Sequence, residues 1–261
     1  MSLKVETKSL FGMVHLLPLP GSPNFGGDME RIFDRARKEA DILAETGFDG
    51  LIVENFGDTP YPNGEVDKTQ LAAMSAIVRE ISARVDIDIG VNVQFNDYES
   101  ELAIAKTCGC DFVRIEIFTE TVLTSSGIIE ASAAEIMKTK KRLKPESSKV
   151  DLMVDVLSKG VTPVREEPVD LVAKRTEKNG ADGIIVTGSG TGESTPLDYV
   201  REAKQATNLP VLVGSGLNAN MIGEVLEVAD GGIVGSALKE EGRVKNPVSQ
   251  DRAREFIASA T

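Results

Sequence analysis

Short apolar runs alternate along the chain with longer stretches whose apolar residues recur every three or four positions. The runs are Leu10 to His15, Gly50 to Asn55, Ile87 to Val93, Phe112 to Phe118, Val150 to Val156, Gly183 to Thr187, Val211 to Gly214 and Gly231 to Val234. They are short and mostly unbroken, the pattern of parallel strands buried on both faces. The stretches between them read as amphipathic helices. Met29, Ile32, Phe33, Ala36, Ala40 and Leu43 give the first helix its apolar face, and Gly47 can close it. Asp67 and Gln70 form a capping-box pattern ahead of Leu71, Met74, Ile77, Val78 and Ile81. Thr195-Pro196 and Asn246-Pro247 each place a proline at the expected first position of a later helix.

A repeat runs through this alternation. Gly47-Phe48-Asp49, Gly109-Cys110-Asp111 and Gly180-Ala181-Asp182 each precede an apolar run, and Ala229-Asp230 repeats the pattern without the first glycine. These sites fall before strands two, four, six and eight. Glycine supplies the positive φ of a tight turn, and the aspartate can bond nearby backbone, so the aspartates read as structural. Eight strand–helix units in 261 residues match one (β/α)₈ barrel, a single domain spanning residues 1–261. A doubly wound open sheet is the alternative architecture.

Charge and composition then restrict function. Forty-one acidic against 29 basic residues leave a net charge of −12, which argues against nucleic acid as the partner. No apolar run approaches the ~20 residues of a transmembrane helix, and the N-terminus does not read as a signal peptide. Cys108 and Cys110 are expected as reduced thiols, and the chain as a cytoplasmic homo-oligomer.

In a parallel barrel the chemistry sits at the C-terminal ends of the strands. Gly214, Ser215 and Gly216 follow strand seven, and Gly235 and Ser236 follow strand eight. These paired loops suit a phosphate, held by backbone N–H groups that glycine lets approach closely. The partner expected there is a phosphorylated small molecule. Thr187, Gly188, Ser189 and Gly190 follow strand six and could hold the rest of that ligand, with Asn55, Asn92 and Arg114. His15, Glu54, Asp155 and Lys159 are the catalytic candidates, and Glu116 shares a strand face with Arg114. Carboxylates and a lysine at one mouth can move protons on a sugar or enol. A single histidine cannot make an ordinary zinc site; no metal is assigned, although Glu54 or Asp155 could carry magnesium. The proline- and glycine-rich segment from Pro18 to Gly27 reads either as a lid or as an ordered connection.

Several of these segments also resemble the BtpA/SgcQ family: Gly12-Met13-Val14-His15-Leu16-Leu17-Pro18-Leu19-Pro20-Gly21-Ser22-Pro23, Glu54-Asn55-Phe56-Gly57-Asp58 and Val186 through Gly192. Gly90-Val91-Asn92-Val93 and Val213-Gly214-Ser215-Gly216 fit it as well. The resemblance covers nearly the whole chain and implies a barrel of the ribulose-phosphate-binding type. The family is named for a cyanobacterial photosystem I biogenesis factor, and some relatives lie among sugar-uptake genes. The chain departs from the family pattern where Glu116, Ser125 and Ser126 stand in place of an Asn and an Asp-Gln pair. It departs again where Gly160 follows Lys159 in place of a histidine. Three functions are therefore expected in competition. They are an isomerase, epimerase, lyase or hydrolase of a phosphorylated sugar or nucleoside-type metabolite, a non-catalytic assembly factor, and a flavin-phosphate-binding barrel.

Overall fold

The computed structural model describes residues 5, 8–143, 149–188 and 194–260. Eight parallel strands close a barrel: β1 (Ser9–His15), β2 (Gly50–Glu54), β3 (Asp88–Asn92), β4 (Phe112–Ile115), β5 (Asp151–Val156), β6 (Gly183–Val186), β7 (Val211–Val213) and β8 (Gly231–Val234). They neighbour one another in chain order, and β8 returns to pair with β1. Helices α1 (Met29–Thr46), α2 (Lys68–Arg84), α3 (Tyr98–Cys108), α4 (Ala133–Arg142), α5 (Val169–Lys178), α6 (Leu197–Ala206), α7 (Ile222–Val225) and α8 (Gln250–Ala260) follow the strands in turn. The closed barrel is the expected architecture, and the open sheet is excluded.

Strand alternation sorts the side chains into two cores. Leu10, Val14, Leu51 and Val53 face the helices, in a cluster that includes Ile32, Ala36, Ala40 and Leu43 of α1. Phe11, Met13, Ile52, Phe112, Met153, Ile185, Leu212 and Ile233 fill the barrel itself. Phe11 and Phe112 meet edge to face at 5.3 Å. Their size explains two glycines in the neighbouring strands. A Cβ on Gly50 would lie 2.6 Å from the Asp88 carbonyl and 2.8 Å from the Phe11 ring, and one on Gly90 would lie 2.3 Å from the Phe112 ring. Two residues further along the same strand faces come His15, Glu54, Asn92, Arg114, Asp155, Thr187, Gly214 and Gly235. The apolar plug therefore ends in a layer of polar residues and glycine at the C-terminal mouth.

The aspartate repeat closes the opposite end. Asp49 accepts the backbone N–H of Leu10 at 2.7 Å, Asp111 that of Ile89 at 2.9 Å, Asp182 that of Leu152 at 3.0 Å and Asp230 that of Val211 at 2.8 Å. Each also donates its own N–H to the carbonyl of that residue, at 2.9–3.0 Å. One aspartate thus clamps the start of the preceding strand in every two-strand quarter. Charge-assisted bonds to otherwise unpaired strand-end amides are each worth about 1.5–3 kcal/mol.

The helix signals hold where capping is local. Asp67 and Gln70 form the expected box, and Gly47 ends α1 in the left-handed conformation at φ 95°. Neither proline takes the first helical position. Pro196 is the residue before α6, and α8 begins at Gln250, three residues beyond Pro247. There the chain is first occupied by a bridge between Lys239 and Val248, with Glu240 donating to the Pro247 carbonyl. The expected strand Phe112–Phe118 stops at Ile115, and a three-stranded antiparallel sheet of Val122–Thr124, Gly127–Ile129 and Thr162–Pro163 stands beside the mouth. The segment after β1 is an ordered connection. Leu19 is fully buried and its N–H is held by Asp58 at 2.7 Å, while Asn24 donates to the Thr59 carbonyl at 2.6 Å. Cys108 and Cys110 are free thiols, both buried.

Candidate active site at the barrel mouth

A cavity of about 310 Å³ opens at the C-terminal end of the barrel. Its floor is Met13 and Ile233, the top of the apolar plug. The glycine loops form one side, with Gly214, Ser215, Gly216, Gly235 and Ser236 all lining it. Gly216 has φ 73°, which lets the chain turn sharply at the mouth. Gly235 has a different reason to be glycine: a Cβ there would lie 3.1 Å from Cε1 of His15. Glu54, Arg114, Glu116 and Lys159 line the same cavity, and Nη2 of Arg114 lies 3.5 Å from where a Cβ on Gly214 would sit.

Burial dominates the electrostatics of these charged groups. Glu116 is 5% exposed, and its Oε2 has no hydrogen-bond partner. Burial, then the carboxylates of Glu54 and Asp155, push its carboxyl up to about 8, against the opposing pull of Arg114 and Lys159. Glu54 is also raised by burial, although Gln94 donates to its Oε1 at 2.9 Å. Burial and then the neighbouring Arg114 lower the Lys159 ammonium, which forms no ion pair among the described residues. His15 is held well below its ordinary value, first by burial and then by Lys239, Lys159, Arg114 and Arg35. An imidazole kept neutral, a carboxyl kept protonated and a lysine eased toward its free amine make a site able to give and take protons near neutrality.

Several expected site residues have other work. Asp155 is locked to Arg114 by two bonds of 2.9 Å, both side chains being almost fully buried. Arg114 reaches the cavity wall and Asp155 does not, so Asp155 is a partner that positions Arg114 and is not a free base. Asn55 accepts from the Gln94 N–H at 2.8 Å and donates to Asp58, which keeps it out of the lining. Asn92 donates to Glu101 of α3 and to the Arg114 carbonyl, tying β3 to its helix and to β4. Thr187 donates to the Leu157 carbonyl at 2.8 Å, and with Gly188 it borders a separate cavity toward α6. Ser189 and Gly190 lie outside the described residues. Lys239, at the end of the second glycine loop, is buried against Glu39 at 2.7 Å. Among the described residues, no group of three or more His, Cys, Asp or Glu side chains is placed to hold a metal ion.

Phe56, Tyr61, Gln94, Phe95 and Lys245, which are not among the candidates expected from the sequence, also line the cavity. Gln94 carried a signal, since it continues the inward face of β3 two positions past Asn92. The others arrive on irregular loops with no periodicity to mark them. Tyr61 packs edge to face with Phe95 at 5.4 Å, and Phe56 lies against His15 at 4.7 Å, so the entrance is walled by rings.

The BtpA family model matches residues 6–261. This chain belongs to the BtpA family. An uncharacterised protein of Pyrococcus abyssi is 40% identical over 251 residues, covering 96% of this chain and 95% of its own. The photosystem I biogenesis protein BtpA of Synechocystis is 38% identical over 250 residues, covering 95% and 86%. Among solved structures, (S)-3-O-geranylgeranylglyceryl phosphate synthase from Thermoplasma acidophilum, in complex with its substrate sn-glycerol-1-phosphate, superposes with a TM-score of 0.62. The match covers 97% of this chain and 93% of that one at 16% identity, a likeness of fold. No helix of the described residues is long and apolar enough to cross a membrane.

Proposed function

We propose that this BtpA-family barrel binds a small phosphorylated metabolite at its mouth and catalyses proton transfer on it. The observation that carries the reading is the convergence of both glycine loops and the Glu54–Glu116–Lys159 wall on one cavity. Backbone amides at Gly216 and Ser236 would take the phosphate, and the serine hydroxyls would add donors. Arg114, fixed by Asp155 beside Gly214, would orient an oxygen of the ligand next to the glycine loops. Protonated Glu116 would serve as general acid, and Lys159, whose ammonium burial disfavours, would exchange the second proton that an isomerisation or epimerisation moves. A fold neighbour that carries sn-glycerol-1-phosphate is consistent with a phosphate seat in such a barrel.

Phosphorus NMR and calorimetric titration with sugar phosphates test this reading. Wild-type protein is expected to bind a phosphorylated sugar and not its unphosphorylated parent. Gly216→Asp is expected to abolish that binding without unfolding the chain, because aspartate tolerates positive φ better than most residues while adding a negative charge. Unchanged affinity in this variant would remove the loops from the site. A non-catalytic assembly role, suggested by the name of the Synechocystis relative, is the second reading. Stable capture of a protein partner, with no turnover across a phosphometabolite panel, would favour it.

A further inference from the structure

A second cavity, of about 260 Å³, adjoins the first. The two share His15, Phe56, Thr59, Val244 and Lys245. The rings of His15 and Phe56, 4.7 Å apart and tilted by 35°, therefore form a sill between them. Beyond the sill the annex is bounded by Leu16 to Pro18 and by Arg35. The main cavity alone sits at the lower edge of the roughly 300–1,000 Å³ range of small-molecule pockets, so the annex adds usable room for a ligand.

The chemistry of the annex is cationic. Arg35 bonds Glu39 through Nε at 3.0 Å and the Lys245 carbonyl through Nη2 at 2.9 Å. Its Nη1 makes no hydrogen bond among the described residues. Glu39 is shared between Arg35 and the buried Lys239, two cationic side chains to one carboxylate. Lys245 is exposed at the rim and pairs with no carboxylate among the described residues. At the sill, Nδ1 of His15 is buried with no partner. A neutral imidazole can place its proton on that nitrogen and donate to an anion.

We propose that the annex is a second anion subsite, so that the ligand carries two anionic groups on one small framework. One group is the phosphate on the glycine loops. The other, a phosphoryl or carboxylate group, crosses the His15–Phe56 sill to meet Arg35, Lys245 and Nδ1 of His15. This inference rests on the phosphate seat proposed above and names the class of substrate that seat would take.

Titration calorimetry tests it with three probes: fructose 6-phosphate, fructose 1,6-bisphosphate and the phosphorylated sugar acid 6-phosphogluconate. Wild type, Gly216→Asp, Lys245→Gln and Arg35→Gln are compared. At least one doubly anionic probe is expected to bind about 10-fold or more tighter than the monophosphate, the scale of one charge-assisted bond. The bisphosphate and the sugar acid show separately whether the annex takes phosphoryl or carboxylate. Arg35→Gln, at a residue that lines only the annex, is expected to erase the advantage while leaving monophosphate affinity within about twofold; Lys245→Gln, at a residue that lines both cavities, is expected to weaken the doubly anionic probe by the larger factor. Equal affinity for all three probes, or an advantage that survives in both variants, overturns the annex alone. Lys245 is exposed, so its variant reports even where Arg35→Gln disturbs the Glu39 cluster. Monophosphate binding that is absent, or unchanged by Gly216→Asp, overturns the phosphate seat and the annex with it.

Discussion

Replacing Glu116 with glutamine isolates the electrostatics of the mouth. The carboxyl is raised from 4.5 to about 8, chiefly by burial, so the folded protein keeps a proton that the unfolded chain releases near pH 4.5. Between these values the native state binds more protons than the unfolded state, and stability falls as pH rises. The stability is intact below pH 4.5, is lost progressively up to about pH 8 and is constant above it. At about 1.4 kcal/mol per unit, the whole span is roughly 4–5 kcal/mol. Glutamine has nearly the same shape and does not titrate, so any misfit of its amide is the same at every pH. Denaturant unfolding of both proteins at several pH values gives the difference directly, and the other titrating groups largely cancel. The variant is expected to gain roughly 3–4 kcal/mol on wild type between about pH 5 and pH 8. Parallel stability curves would refute the reasoning, because they would mean that Glu116 ionises in the folded protein as freely as in the unfolded one.

Other substitutions probe the frame that holds the site. Arg114→Met should strand the buried Asp155 carboxylate and cost about 3–5 kcal/mol, and the double change with Asp155→Leu should recover most of it. Urea unfolding of the three proteins checks this, and an additive double mutant would contradict it. Gly90→Ala should cost about 1–3 kcal/mol because its Cβ would strike the Phe112 ring, and Phe112→Leu should relieve it, as read from melting temperatures. Asp111→Ala should lose about 1.5–3 kcal/mol through the abandoned Ile89 amide, while the proposed phosphate binding at the far end of the barrel is unaffected, as urea unfolding and titration calorimetry would read.

The sequence by itself determined the barrel, because strand and helix periods are written in neighbouring residues and a short aspartate turn recurs before every second strand. What each aspartate bonds is long-range, as with Asp49 and Leu10, 39 residues apart. The sequence also marked the C-terminal mouth as the polar end, since the inward face of each strand runs from an apolar residue to a polar one or to glycine. Phe112, Arg114 and Glu116 spell out that change within one strand and its exit. Only the tertiary structure decided which of those polar groups remain free. Asp155 and Lys159 are both plausible bases on the page, but Asp155 meets Arg114 from the adjacent strand and Lys159 meets no carboxylate among the described residues. Asn92 is likewise claimed by Glu101, which no strand pattern connects to it. Such pairings depend on three-dimensional distance, and so does the burial that lifts Glu116 toward neutral pH. The walls of the mouth, built by Phe56, Tyr61 and Phe95 on irregular loops, exist only once the barrel has closed and brought those loops together.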